Sequence, residues 1–258
     1  MTEAGAGTAC YLYCLTPATT AGVAVPGAGV CECGDFAAVF SEVRLADFCG
    51  EEAEARQQDL AWLAPRVLSH EAVIEAVMRE GPVLPAPFAT LFSDAASLRR
   101  FVLEHQQAIG GFLNGLGDRR EWAVKGLFKS AESRLQAPSG ALPEPSSPGL
   151  RYFEQKRIQL QFERDSKARL REFCARAART LGALSSASRE RRCPAPADPG
   201  AEVLFNWAFL LSPSSLTAFR AAVDALNGEG PVAGLALVLT GPWPPYSFAP
   251  ALPRASGT

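Results

Sequence analysis

Hydrophobic and polar positions change their period repeatedly along these 258 residues, and each change predicts an element. In "TACYLYCLTP" (8–17), Tyr11, Tyr13 and Leu15 alternate with Cys10, Leu12 and Cys14, which predicts a strand buried on both faces. "GVCECGDFAAVFSEV" predicts two strands joined at the turn pair Gly34-Asp35. Glu51 and Glu52 open a helix at its dipole-favoured end. Pro65 is expected in the first turn of the next helix, whose stripe is Val67, His70, Ile74 and Val77 and whose stop is Gly81. The prolines of "PVLPAPFATLF" predict an extended segment. Ser93 or Asp94 then caps one helix carrying Leu98, Phe101, Val102, His105, Ile109 and Phe112.

"GLGDRR" closes this first region, and a domain boundary is expected near residue 118. "EWAVKGLF" follows as a strand, and the Pro/Ser/Gly-rich stretch 137–149 is an expected loop. From 150 to 184 the pattern is a long helix, expected to project as a helical arm. Glu163–Lys167 and Asp165–Arg169 are expected as i, i+4 pairs there, with Leu170, Cys174, Ala177, Leu181 and Leu184 buried. "SASRERR" predicts an exposed edge strand and "EVLFNWAFLL" a central one with Val203, Phe205, Trp207, Phe209 and Leu211 on one face. Ser212-Pro213 opens a last helix, and "VAGLALVLT" is the last strand.

These patterns predict an α+β protein of two domains, 1–118 and 119–258, each an antiparallel sheet with helices on one face. The second half reads β, α, β, β, α, β, the order of a ferredoxin-like fold, modified here by the helical extension.

Composition narrows the function classes. Nearly half the residues are apolar and a fifth are charged, as in a soluble globular protein. No apolar run approaches the ~20 residues of a membrane helix. "MTEAGAGTAC" lacks the basic and apolar regions of a signal peptide, so a cytosolic product is expected. The net charge of −2 is unevenly spread: residues 151–192 hold twelve Lys/Arg against five Asp/Glu. That excess is either a solvated helix face or a surface that steers an acidic partner. The seven cysteines are odd in number and lack a CxxC. Cys10 and Cys14, four apart on a strand, are expected on one face as core residues or, less simply, as metal ligands.

Catalytic patterns are absent. The chain has no GxGxxG or Walker loop, no GxSxG elbow and no paired-histidine metal motif. His70 and His105 both fall on apolar stripes, where a hydrogen-bonded core histidine is the simplest reading. No catalytic, cofactor-binding or metal-binding residue is assigned, and neither a cofactor nor an enzymatic activity is expected.

One stretch stands apart. In "LTGPWPPYSF" (239–248), prolines interrupt the end of the last strand, so the ladder is expected to stop there. Gly241 permits a sharp turn, and Pro242, Pro244 and Pro245 stiffen a segment that presents Trp243, Tyr246 and Phe248. The tail is expected to close its own domain or the domain interface, or else to touch a partner directly.

This stretch resembles the C-terminal motif of the gas vesicle protein GvpL/GvpF family. Other landmarks resemble that family in order: "YLYCL" (11–15), "WLAPRVLSHEAVIEAV" (62–77), "VLPAPFATLF" (83–92), "EWAVKG" (121–126) and "NWAFLL" (206–211). Ala89 departs from it, standing where the family usually has glycine, as Pro87 stands where an arginine is frequent; either the backbone is ordinary at Ala89 or the segment works differently here. The resemblance implies a minor component or assembly factor of gas vesicles, found with the vesicle or in the cytoplasm. It implies binding of the hydrophobic shell protein GvpA, limiting of its aggregation during nucleation, and contact with other gas vesicle accessory proteins. Nucleic acid and membrane are not expected partners. Trp243, Tyr246 and Phe248 of the tail, with Arg157, Arg164, Lys167 and Arg169 of the arm, are the candidate contact residues. Two other readings stay open: a small-ligand-binding or enzymatic ferredoxin-like protein, favoured by a pocket lined by both histidines and cysteines, and an RNA-binding module using residues 151–192.

Overall fold

The computed structural model describes residues 7–20, 26–129, 148–195, 200–229 and 234–253. Residues 137–147 of the expected Pro-rich loop lie outside the described residues; residues 148 and 149 already belong to a helix. The chain divides into two compact units, residues 1–121 with 242–258, and residues 122–241. Both are α+β with an antiparallel sheet. The final segment, expected to close its own domain or the domain interface or to touch a partner, groups with the first unit.

In the first unit, β1 (Thr8–Pro17) is the middle strand. It pairs antiparallel with β3 (Phe36–Arg44) on one side, and β2 (Gly29–Cys33) extends the sheet through the Gly34-Asp35 turn. On the other side lie two short strands, β4 (Leu84–Pro85) and β5 (Leu91–Phe92). A bulge between Leu12 and Cys14 breaks the expected alternation, because two residues of β1 oppose one of β3 there. Leu15 therefore joins Cys10 and Leu12 in one apolar cluster, while Cys14 joins Tyr13 in another. The two cysteines expected on one face are thus on opposite faces.

Each face has its own helices, where one covered face was expected. The reason is that β1 and β3 are apolar on both sides. α2 (Leu60–Glu80) packs Val73, Ile74 and Val77 with Cys14 and Val39. α3 (Ala95–Glu104) and α4 (Gln106–Leu116) pack Leu98, Val102, Ile109 and Leu113 with Cys10, Leu12 and Leu15.

The helix boundaries follow local chemistry. α1 (Glu51–Gln57) starts at the expected glutamates. Asp59 caps α2 by accepting from Ala61 N–H, so this helix begins five residues before Pro65 rather than at it. Pro65 sits inside the helix and offers no N–H to the Ala61 carbonyl. Asp94 and Ser97 form a capping box at α3. The expected single helix is two, because His105 leaves the helical conformation at φ −106°, and its Nδ1–H donates to the Phe101 carbonyl at 2.9 Å.

In the second unit the strands β6 (Arg120–Lys129), β7 (Ala187–Glu190), β8 (Ala201–Leu211) and β9 (Leu235–Trp243) lie in the order β7-β8-β6-β9. With α5 (Pro148–Ala183) after β6 and α6 (Pro213–Gly228) after β8, this is the ferredoxin-like order expected from the sequence. Phe173, Ala177 and Leu181 of α5 and Phe219, Val223 and Leu226 of α6 pack on Trp122, Val124, Phe205 and Phe209. The Asn227 side chain clips α6 to β9, donating to the Leu237 carbonyl and accepting its N–H at 3.0 and 2.7 Å. β9 continues through Pro242 to Trp243, past where the prolines were expected to end it. It is an edge strand, where a missing N–H need not break a ladder bond.

Candidate functional site

The helical period of α2 and the bulged face of β1 bring His70 and Tyr11 together in the first unit. His70 is fully buried. Its Nε2 lies 3.1 Å from the carbonyl of Ala86, which can only accept, so Nε2 carries the ring proton. Nδ1 is then an acceptor, and the Tyr11 hydroxyl donates to it at 2.9 Å. The Tyr11 oxygen accepts in turn from the N–H of Ala89 at 3.2 Å. Burial holds the His70 pKa below its ordinary value, consistent with this neutral ring, and raises that of Tyr11 to about 12.

Aiming the Ala89 N–H at Tyr11 requires an unusual turn. Ala89 has φ of 60°, and among the described residues it is the one non-glycine with positive φ. The ordinary backbone suggested by an alanine here is overturned: the left-handed turn is kept and alanine occupies it under strain.

The tail completes the cluster. After Gly241 (φ 136°) and a turn closed by Phe248 N–H and Ala249 N–H on the Pro245 carbonyl, Tyr246 points inward. Its hydroxyl lies 3.2 Å from His70 Nε2 and donates to Glu71 Oε1 at 2.8 Å. Burial raises the Glu71 pKa, partly offset by this bond, and raises that of Tyr246 strongly. The next residue, Ser247, donates to Glu121 twice, from its N–H at 2.9 Å and from its hydroxyl at 2.7 Å. Glu121 is as buried as His70, and Ser247 donates to each of its two carboxyl oxygens. Ala249 and Leu252 pack onto the α3–α4 side of the sheet.

Both ring nitrogens of His70 are occupied by protein groups, so neither is free to take a proton from a substrate. Among the described residues no three His, Cys, Asp or Glu side chains converge in an arrangement that holds a metal ion. Cys31 and Cys33 approach to 3.8 Å between sulfurs, and burial pushes the Cys33 thiol up to about 12. The chemistry of the cluster is that of a latch: it fixes the tail.

Beside the latch is an apolar groove of about 930 Å³, walled by Leu84, Pro85, Pro87, Phe101 and the tail residues Ala251 and Leu252. Of the candidate contact residues, Tyr246 is part of the latch, Phe248 is half-buried and Trp243 is 41% exposed. Arg157, Arg164, Lys167 and Arg169 are all exposed on α5. The expected pairs Glu163–Lys167 and Asp165–Arg169 do not form. Glu163 and Asp165 instead accept from Gln159 and Gln161, one turn earlier, at 3.2 and 3.0 Å.

Five segments that carry the sequence resemblance contribute to this one latch: the first strand through Tyr11, α2 through His70, the 83–92 segment through Ala86 and Ala89, β6 through Glu121, and the tail. The profile described as "Gas vesicle synthesis protein GvpL/GvpF" matches residues 9–250. The chain belongs to the GvpL/GvpF family. A GvpL/GvpF relative, "Gas vesicle protein L" of Streptomyces sp. (strain CB03234), is 31% identical over 223 residues, covering 84% of this chain and 80% of the relative. The fold matches crystal structures of the gas vesicle protein GvpF from Anabaena sp. PCC7120 and from Microcystis aeruginosa. Their TM-scores are 0.66 and 0.61 at 17% and 15% identity, with 98% and 94% of this chain and 100% and 99% of theirs covered.

Sequence reasoning missed Glu121, Ser247, Tyr11 and Glu71 as a group. The available signal was Glu121 itself, a lone acid at the head of the apolar strand "EWAV". Its partner lies 126 residues away and no local pattern names it.

Proposed function

We propose that this GvpL/GvpF member acts in gas vesicle assembly as a non-enzymatic holding protein. It binds an apolar segment of the shell protein GvpA and limits its aggregation during nucleation, in the cytoplasm or on the vesicle. Family membership supports the gas vesicle role, and the observation that carries the holding role is the apolar groove beside the latch. Pro82, Pro85 and Pro87 leave the adjoining sheet edge short of N–H donors, so addition of a client strand there is disfavoured. Burial of apolar client side chains in the groove is the better-supported mode. The occupied ring of His70 counts against an enzymatic reading.

Co-expression with GvpA followed by pull-down and vesicle fractionation tests this. Ala251 is exposed on the groove wall, so Ala251→Glu is expected to leave the fold intact while reducing captured and soluble GvpA. Unchanged capture by that variant would count against the groove. No GvpA capture by the wild type would overturn the holding role itself.

A further inference from the structure

The first half of α5 carries a second surface. Phe153, Arg157, Leu160, Arg164, Lys167 and Arg171 recur at alternating spacings of four and three, which aligns them along one helix face. All six are exposed, Phe153 at 70% and Leu160 at 46%. The buried stripe of the same helix, Phe173, Ala177 and Leu181, runs along a different face. Because Glu163 and Asp165 bond back to glutamines, the four cations have no ion pair among the described residues. A face that only meets water has no use for an aromatic and a leucine seated between cations. This one has the make-up of a helix that docks.

Charge identifies what it docks on. The unit 122–241 holds sixteen basic residues against eleven acidic, a net +5. The other unit holds nine basic against sixteen acidic, a net −7. Its acidity is densest in residues 42–59, with six Asp/Glu against two Arg, and Glu51, Glu52, Glu54 and Asp59 are exposed. Next to them is a cleft of about 400 Å³ lined by Phe48 and Phe88, with Glu42 and Asp47 balanced there by Arg44 and Arg66. The exposed acids Glu51, Glu52, Glu54 and Asp59 complement the cations of the helix, and the two aromatic rings beside them offer an apolar contact for Phe153 and Leu160. The chain itself supplies a protein surface of opposite charge in residues 42–59, which favours a protein partner.

We propose that this face of α5 docks on the acidic surface around residues 42–59 of a second copy of the chain. Since the two surfaces are different patches, the contact is heterologous and the copies associate head to tail. The proposal does not depend on the GvpA reading, and GvpA is not used to test it.

The test is sedimentation equilibrium of the whole chain at about 0.01 M and about 1 M salt, between which the screening length falls from about 30 to about 3 Å. The wild type is expected to self-associate at low salt and to be monomeric at high salt. Replacing Arg157, Arg164, Lys167 and Arg171 with glutamine is expected to weaken low-salt association at least about tenfold, as is replacing Glu51, Glu52 and Glu54 with glutamine. These side chains are exposed, and circular dichroism checks that both variants stay folded. An equimolar mixture of the two variants is expected to recover a one-to-one complex, because each supplies the surface that the other lacks. A wild type that is monomeric at low salt overturns the proposal, and so does a mixture that stays monomeric. It is equally overturned if α5 binds single-stranded RNA or anionic lipid vesicles while the chain shows no self-association.

Discussion

The N–H and hydroxyl of Ser247 both donate to the carboxylate of Glu121, at 2.9 and 2.7 Å, across 126 residues of chain. Hydrogen bonds to a charged group contribute about 1.5–3 kcal/mol each, and more is lost when a buried charge is left short of partners. Ser247→Ala removes one bond and is expected to cost within that range. Glu121→Ala removes the acceptor of both and the rest of what that carboxylate holds, so it is expected to cost more. Urea midpoints with unchanged m-values check the order. Equal midpoints for wild type and Ser247→Ala would mean the tail is not fastened by this pair.

Tyr246 and Trp243 separate by the same reasoning, although both are aromatic and three residues apart. Tyr246 is fixed by Glu71 and His70, whereas Trp243 is 41% exposed. Truncating a buried aromatic costs about 3–5 kcal/mol, and a half-exposed one less. Tyr246→Ala is therefore expected to destabilise the first unit strongly, with Trp243→Ala well behind it. If Trp243 contacts a partner, its alanine variant loses GvpA capture at a nearly unchanged denaturation midpoint. A Trp243→Ala midpoint shifted as far as that of Tyr246→Ala would contradict the ranking.

Ala89 offers a gain instead of a loss. At φ 60° an L-residue is disfavoured by about 1–2 kcal/mol, and glycine removes that strain at the cost of a more flexible unfolded chain. Ala89→Gly is expected to raise stability by roughly 0.5–1 kcal/mol, read as a higher thermal midpoint. A lowered midpoint would mean that the turn is held without strain.

Much of the architecture was legible because it follows from local periodicity and capping. The α/β order of the second unit, the capping roles of Asp94 and Ser212 and the Gly34-Asp35 turn all rest on residues close in sequence. What failed locally did so for nearby reasons as well: a bulge at Leu12–Cys14 re-aimed Cys14, and an edge position let β9 keep Pro242. The latch was legible only through resemblance. His70 and the tail each carried a visible signal, but the bonds that make them one site join residues 59, 176 and 126 positions apart. Periodicity does not encode such separations.

The latch also sets an acid response, through two groups of opposite sign. The folded pKa of His70 lies below its ordinary value of 6.5, with burial as the main cause. Below that pH the unfolded chain binds a proton that the folded chain refuses. The His70 contribution is thus complete above pH 6.5 and is lost as pH falls through the folded pKa. Glu71 lies above its ordinary value of 4.5, again mainly through burial, with Glu75 raising it further and the Tyr246 bond opposing. The folded chain keeps that proton longer than the unfolded one, so the Glu71 contribution is present below pH 4.5 and lost as pH rises through its folded pKa. The two therefore offset each other as the wild type is acidified from neutral pH. Tyr11 and Tyr246, both raised, stay protonated throughout. Glu71→Gln removes the opposing half and leaves an amide oxygen to accept from Tyr246. Its stability is expected to fall more steeply than that of the wild type between pH 7 and pH 5, in urea denaturation at fixed ionic strength. Parallel slopes for the two proteins would show that Glu71 does not hold its proton longer in the folded chain, and that the latch responds to acid through His70 alone.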